Sequence, residues 1–179
     1  MTDEKLLLQQ LRNSSTREAA FTILMREYQE PIYWQIRRMV LNHDDADDVM
    51  QNTFIKAWQS IETFRGESRL QTWLYRIAIN EALNFLAKQK PGTSLDQESC
   101  DIASKLTSDE YFDGDELEAQ FQQAIGTLPD KQRIVFNLKY FQDMKYDEMS
   151  EILGTSIGAL KASYHHAVRK ISQYFEDAD

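Results

Sequence analysis

Apolar positions along this chain recur at helical spacing and nowhere alternate over a useful strand length, so the pattern predicts an all-α protein. Leu6, Leu7 and Leu11 mark a short opening helix, Ser14, Ser15 or Thr16 caps the next, and Pro31 starts another through Tyr33, Ile36 and Val40. From Asp44 to Ser60, Ala46, Met50, Phe54, Ala57, Trp58 and Ile61 give a core face, while Asp48, Gln51, Asn52, Ile55 and Gln59 point away. From Thr72 to Ala87 the chain is apolar almost all round, which predicts a largely buried helix whose polar row is Thr72, Arg76, Asn80, Asn84 and Lys88. Lys90-Pro91-Gly92-Thr93-Ser94 breaks the chain. Helical spacing returns at Leu117, Phe121 and Ile125, and Leu128-Pro129-Asp130 opens a helix carrying Ile134, Val135, Leu138 and Phe141.

The stretch Tyr146 to Lys170 reads as two helices about a tight turn, with Ser150, Gly154 and Leu160 at the spacing that lets them cross closely. On the second, Ile157, Leu160, Tyr164, Ala167, Val168 and Ile171 share one face, and Lys161, Ala162, His165, His166 and Arg169 the other. A small, basic face suits a DNA groove. An antiparallel helical hairpin without DNA would show the same amphipathicity.

Six Gly and three Pro in 179 residues reinforce the helical reading, and the length allows two small domains. The boundaries predicted are 1–90, an acidic linker at 91–114, and 115–179. A single Cys, Cys100, cannot form an internal disulfide or a cysteine-rich zinc site and fits a reducing cytoplasm. The first residues open acidic with an apolar run of only three leucines, which argues against a signal peptide or membrane insertion. A net charge of −9 looks wrong for a nucleic-acid binder, but much of the excess acid lies between Thr93 and Glu118. That concentration predicts a flexible acidic linker and leaves basic patches to the domains.

Two groups invite chemistry. His43 with Asp44, Asp45, Asp47 and Asp48 has the residue types of a metal-dependent hydrolase, but His165 and His166 lie in the other block, so helix capping is the better account. No nucleophile-base pair or phosphate-cradling glycine loop is visible, so neither an enzyme nor a cofactor is expected. The loop Glu62 to Gln71 carries Phe64, Arg65, Gly66, Ser68 and Arg69 beside the Thr72 polar row, the groups that stack unpaired bases and hold phosphates. A core aromatic in a structural loop is the competing account. Ile55, apolar among amides and acids, marks a docking surface or a chance exposed residue.

The run DADDVMQNTFIKAWQSIETFRGESRLQTWLYRIAIN, followed after a linker by LPDKQRIVFNLKYFQDMKYDEMSEILGTSIGALKASYHHAVRK, resembles bacterial RNA polymerase sigma factors of the extracytoplasmic-function (ECF) class, as region two, linker and region four in order. The resemblance implies two helical domains and a subunit without catalysis that brings core polymerase to a promoter. Asp48, Gln51, Asn52, Ile55 and Gln59 would dock on the clamp coiled coil of the β′ subunit, with Asn52 where the family often has Glu. Phe64, Arg65, Ser68, Arg69, Trp73, Arg76, Asn80, Asn84 and Lys88 would face the melting −10 element, the loop around Gly66 capturing a flipped base. Ser156, Gly158, Ala159, Lys161, Ala162, His165, His166 and Arg169 would read the −35 element, with the β flap as a further polymerase contact.

The second motif departs from the family pattern: Ala159 stands where Thr is common, and Ala162-Ser163 where Ser-Arg is common. Lys161, His165, His166 and Arg169 then carry more of the DNA contact. The paired histidines predict that −35 duplex binding strengthens as pH falls through about 6.5, where an ordinary imidazole gains charge. Equal affinities at about pH 6 and about pH 8 would rule that out. The resemblance also implies an anti-sigma protein, often membrane-anchored, that clamps both domains. The alternative is a stand-alone helix-turn-helix regulator with an N-terminal sensing domain, which predicts a closed apolar pocket in the first block.

Overall fold

The computed structural model describes residues 4–66, 68–89 and 115–177, and the secondary structure among them is entirely helical. The chain divides into two compact units, Met1–Lys88 and Gln89–Asp179. The expected acidic linker at 91–114 lies outside the described residues.

The first unit holds α1 (Glu4–Arg12), α2 (Arg17–Val40), α3 (His43–Ser60), a 3-10 turn (Ile61–Thr63) and α4 (Leu70–Lys88). Helices α2, α3 and α4 pack against one another, and α1 lies on α2 and the 3-10 turn. Leu7 and Leu11 of α1, Leu24, Ile32, Tyr33 and Ile36 of α2, and Leu70, Leu74, Ala78 and Ile79 of α4 are all but fully buried. This shared core supplies the helix stability that isolated helices of such length lack.

Three local expectations change. Pro31 does not start a helix but sits inside α2, which runs unbroken for 24 residues. Burial of Leu24 on one side and Ile32 and Ile36 on the other offsets the backbone bond that proline removes. Thr16 holds the N-cap position of α2 without capping it, since its hydroxyl donates to the Gln10 carbonyl at 2.8 Å. On α3, Val49 and Thr53 join Ala46, Phe54 and Ala57 in the core, whereas Met50 is half-buried and Trp58 is 37 % exposed. Two covering helices, α2 and α4, centre the buried face of α3 and leave Met50 and Trp58 at its edge. The predicted capping does form: Asn42 Oδ1 accepts the Asp44 N–H at 2.9 Å, with Asp44 and Asp45 in the first turn.

The second unit holds α5 (Glu116–Gly126), α6 (Asp130–Tyr140), α7 (Tyr146–Leu153) and α8 (Ile157–Glu176). Helix α8 touches each of the other three. Ala124, Ile125, Leu128, Phe136, Ala167 and Ile171 form the core, with Phe121, Phe141 and Tyr164 packed on it. Asp115 caps α5 by accepting the Glu118 N–H at 2.9 Å. Between α7 and α8 the backbone reverses through Gly154 at φ 59°, a left-handed conformation that glycine adopts without steric cost. Ile157 and Val168, expected inside, are 37 % and 39 % exposed, whereas Leu160, Ala167 and Ile171 of the same face are buried. Leu117 is likewise exposed.

Candidate functional site

Three surfaces carry the residues singled out by the sequence. The first lies between α2 and α3, where Phe21, Met25 and Gln29 face Met50, Gln51, Phe54, Ile55 and Trp58 across an open groove of about 410 Å³. Ile55 is 54 % exposed and Met25 38 %. Asp48, Gln51, Asn52 and Gln59 are exposed on the same helix. Trp58 is held firmly: its ring meets Phe21 edge-on at 5.0 Å, and the Arg17 guanidinium lies 4.3 Å from its centroid. Arg17 also donates to the Trp58 carbonyl at 2.6 Å and pairs with Glu62. An apolar groove with a polar rim is the form of a protein docking site. It is open, whereas a ligand-sensing domain calls for a closed pocket.

Helical periodicity places Ile55, Gln51 and their polar neighbours on this surface, but it puts Met50 and Trp58 in the core and gives no sign of Phe21 and Met25 beside them. Phe21 and Met25 stand one helical turn apart on α2, which marks a shared face but not what that face meets.

The second surface is the approach to α4. Thr63, Phe64, Arg65, Ser68, Trp73 and Arg76 line a pocket of about 480 Å³. Phe64 is only 6 % exposed, and its ring lies 5.1 Å from that of Trp73 at a 42° tilt. The two aromatics therefore make a floor, with Arg65 and Arg76 exposed above it. Gly66 takes φ 77°, a bend that a side chain would strain. Arg69, Asn80, Asn84 and Lys88 are exposed but do not line the pocket; the last three continue the polar row along α4. An aromatic floor beside cations suits a base attached to a phosphate.

The third surface is the outer face of α8. Gly158, Ala159, Lys161, Ala162, His165, His166 and Arg169 are all exposed, and from Ile157 to Lys170 the helix carries no acid. Ser156 caps α8, its hydroxyl accepting the Ala159 N–H at 3.3 Å. The Lys161 ammonium rests 5.7 Å from the Tyr146 ring, which aims it from the start of α7. Small residues at Gly158, Ala159 and Ala162 leave room for close approach to a groove.

His43 has a structural use. Its Nδ1 hydrogen-bonds the Tyr33 hydroxyl at 2.7 Å, and its Nε2 faces Asp47 at 3.4 Å. No group of three potential metal-binding side chains occurs among the described residues.

The Sigma-70 region 2 family matches residues 24–91, and the Sigma-70 region 4 family matches residues 118–171. The ECF RNA polymerase sigma factor SigW of Bacillus subtilis is 33 % identical over 168 residues, covering 88 % of this chain and 90 % of that protein. The ECF RNA polymerase sigma-E factor of Haemophilus influenzae is 34 % identical over 158 residues, 83 % of each chain. Among solved structures, the sigma factor RpoE of Bartonella quintana, in complex with the anti-sigma factor NepR, shares this fold at 20 % identity with a TM-score of 0.64, over 87 % of this chain and 96 % of that one.

Proposed function

The chain belongs to the sigma-70 family of RNA polymerase sigma factors, in its ECF class, and from that premise we propose how its two units divide the work of initiation. It binds core RNA polymerase and directs promoter-specific transcription initiation, the first unit melting the −10 element and the second reading the −35 element. Sigma factors are non-enzymatic initiation factors, and this chain has no catalysis of its own and works in the cytoplasm. No described helix is long and apolar enough to cross a membrane.

The observation that carries the polymerase-binding reading is the open groove between α2 and α3, in which Ile55 lies exposed among Asp48, Gln51, Asn52 and Gln59. The β′ clamp coiled coil would bury Ile55, Met25 and Trp58, while the polar rim fixes its register. The β flap would take the second unit. The Phe64–Trp73 floor favours capture of a base of the −10 element, with Arg65, Ser68, Arg69 and Arg76 on the flanking phosphates and Asn80, Asn84 and Lys88 along the emerging strand. Melting follows from this trap: stacking of about 1–3 kcal/mol per base offsets an unpairing cost of a few kcal/mol. On α8, Lys161, His165, His166 and Arg169 would contact bases and phosphates of the −35 element, while Ser156, Gly158, Ala159 and Ala162 permit the approach. An anti-sigma protein, membrane-anchored or free, would act by covering these surfaces; NepR is bound to RpoE in the related complex.

The −10 assignment is tested with holoenzyme assembled from bacterial core polymerase and a single-stranded DNA selected by wild-type holoenzyme from a randomised pool. Trp73→Ala and Arg76→Gln are expected to weaken capture of that strand by roughly tenfold, the loss of one stacked base or one charged contact. Both variants should still bind core polymerase. Unchanged strand binding in the exposed Arg76→Gln variant and in Trp73→Ala would refute the pocket assignment.

A further inference from the structure

The loop that forms the rim of the Phe64–Trp73 pocket is held from outside by α1, a helix that lines none of the three surfaces. Arg12, in the last turn of α1, donates from Nη2 to the Phe64 carbonyl at 3.0 Å. Glu4, in its first turn, accepts the Leu70 N–H on Oε1 at 2.8 Å. These contacts grip the two ends of the loop, one where it leaves the 3-10 turn and the other where it enters α4. They join residues 52 and 66 positions apart, so no local propensity produces them.

Each contact meets a physical need. The Leu70 N–H opens α4 and has no partner within that helix, and a carboxylate there also meets the positive end of the helix dipole. The Phe64 carbonyl belongs to a residue whose side chain is buried while its successor Arg65 is exposed, so the backbone turns from core to solvent at that point. Helix α1 is a stiff spacer for both. Leu7 and Leu11 are 1 % and 0 % exposed, which anchors it to the core, and the eight-residue separation of Glu4 and Arg12 spans about 12 Å of helix.

We infer that α1 is a positioning element for −10 capture: Glu4 and Arg12 hold both ends of the Phe64-to-Leu70 loop so that the base-stacking pocket exists before the strand arrives. The inference rests on the −10 reading of that pocket. Neither residue touches the strand; both act through the loop. Pre-organisation matters because a loop ordered only on binding would expend part of the stacking energy on its own conformational entropy.

The test uses full-length holoenzyme and the same selected single strand. Glu4→Ala and Arg12→Met should each weaken strand capture by roughly fivefold to tenfold, the loss expected for a hydrogen bond to a charged partner. Affinity for core polymerase should stay unchanged, and hydrogen exchange at the Leu70 amide should accelerate in Glu4→Ala. Glu4→Gln, which retains a carbonyl acceptor, should restore most of the capture. Strand binding unaltered in both loss variants would overturn the inference, and so would a parallel fall in core affinity, which means that α1 merely stabilises the unit. If Trp73→Ala and Arg76→Gln are also silent, the pocket reading itself has failed and the inference goes with it. If those two weaken binding while the α1 variants do not, only the positioning role is refuted.

Discussion

Replacing Ile55 with Glu is expected to abolish stable association with core RNA polymerase, and Asp48→Arg to weaken it severely. Ile55 is 54 % exposed in the free chain, so neither substitution disturbs a buried position of the fold and both should leave thermal stability nearly unchanged. In the complex the side chain would lie in the desolvated centre of the groove, and a carboxylate there has no partner to offset its desolvation. Loss of a central apolar anchor with burial of an unpaired charge costs about 3–4 kcal/mol, a weakening of several hundredfold. Asp48, at the rim, makes a different test: reversing its sign should slow association, and added salt should recover part of the loss by screening the repulsion. Titration of labelled core polymerase with each variant measures both. Wild-type affinity in Ile55→Glu would exclude the groove as the docking face.

The second large effect concerns stability. Arg133, on α6, is 1 % exposed, and its guanidinium donates to the Leu128 carbonyl at 3.1 Å and to Asp130 Oδ1 at 2.8 Å. It thereby closes the Leu128-Pro129-Asp130 turn that sets α5 against α6. Burial pushes the pKa of this guanidinium down and the neighbouring Asp130 opposes the shift; the group stays charged because an arginine starts far above neutrality. Arg133→Met fills much of the space but leaves the Leu128 carbonyl without this donor. The expected cost is ~3 kcal/mol. Asp130→Ala takes a carboxylate partner from the buried guanidinium and should also destabilise the unit, but less than Arg133→Met because the Asp130 side chain is 45 % exposed and screened by solvent. Trp34, Trp58 and Trp73 all lie in the first unit, which gives an internal control. Urea unfolding of Arg133→Met followed by helical circular dichroism should show an early transition, while tryptophan fluorescence keeps its midpoint. A shift of both signals together would mean that the two units unfold as one.

Much of the second unit was readable because its determinants are local. Gly154 supplies the left-handed turn, Ser156 the cap, and the run from Ile157 to Lys170 sorts by helical period into a core side and a basic side. The errors there, Ile157 and Val168, sit at the margin of the buried face, where period alone does not tell how far a neighbour reaches. The same limit explains Met50 and Trp58 on α3. Pro31 misled for another reason: its local preference for a helix start yielded to burial of α2 on both sides of it.

The helical class, the order of the helices, most of their boundaries and the polar faces of α3, α4 and α8 were legible in the sequence, since these follow from side-chain direction within one helix. Tertiary structure decided what those faces become. Only packing of α2 on α3 brings Phe21 and Met25 beside Ile55 and Trp58 to make a groove. Only the fold lowers Phe64 into the floor of a pocket and ties its carbonyl to Arg12 and the start of α4 to Glu4. The periodicity of a helix states which way each side chain points. Which distant segment covers it depends on contacts between residues far apart in the chain, and these arise only when the helices bury a common core.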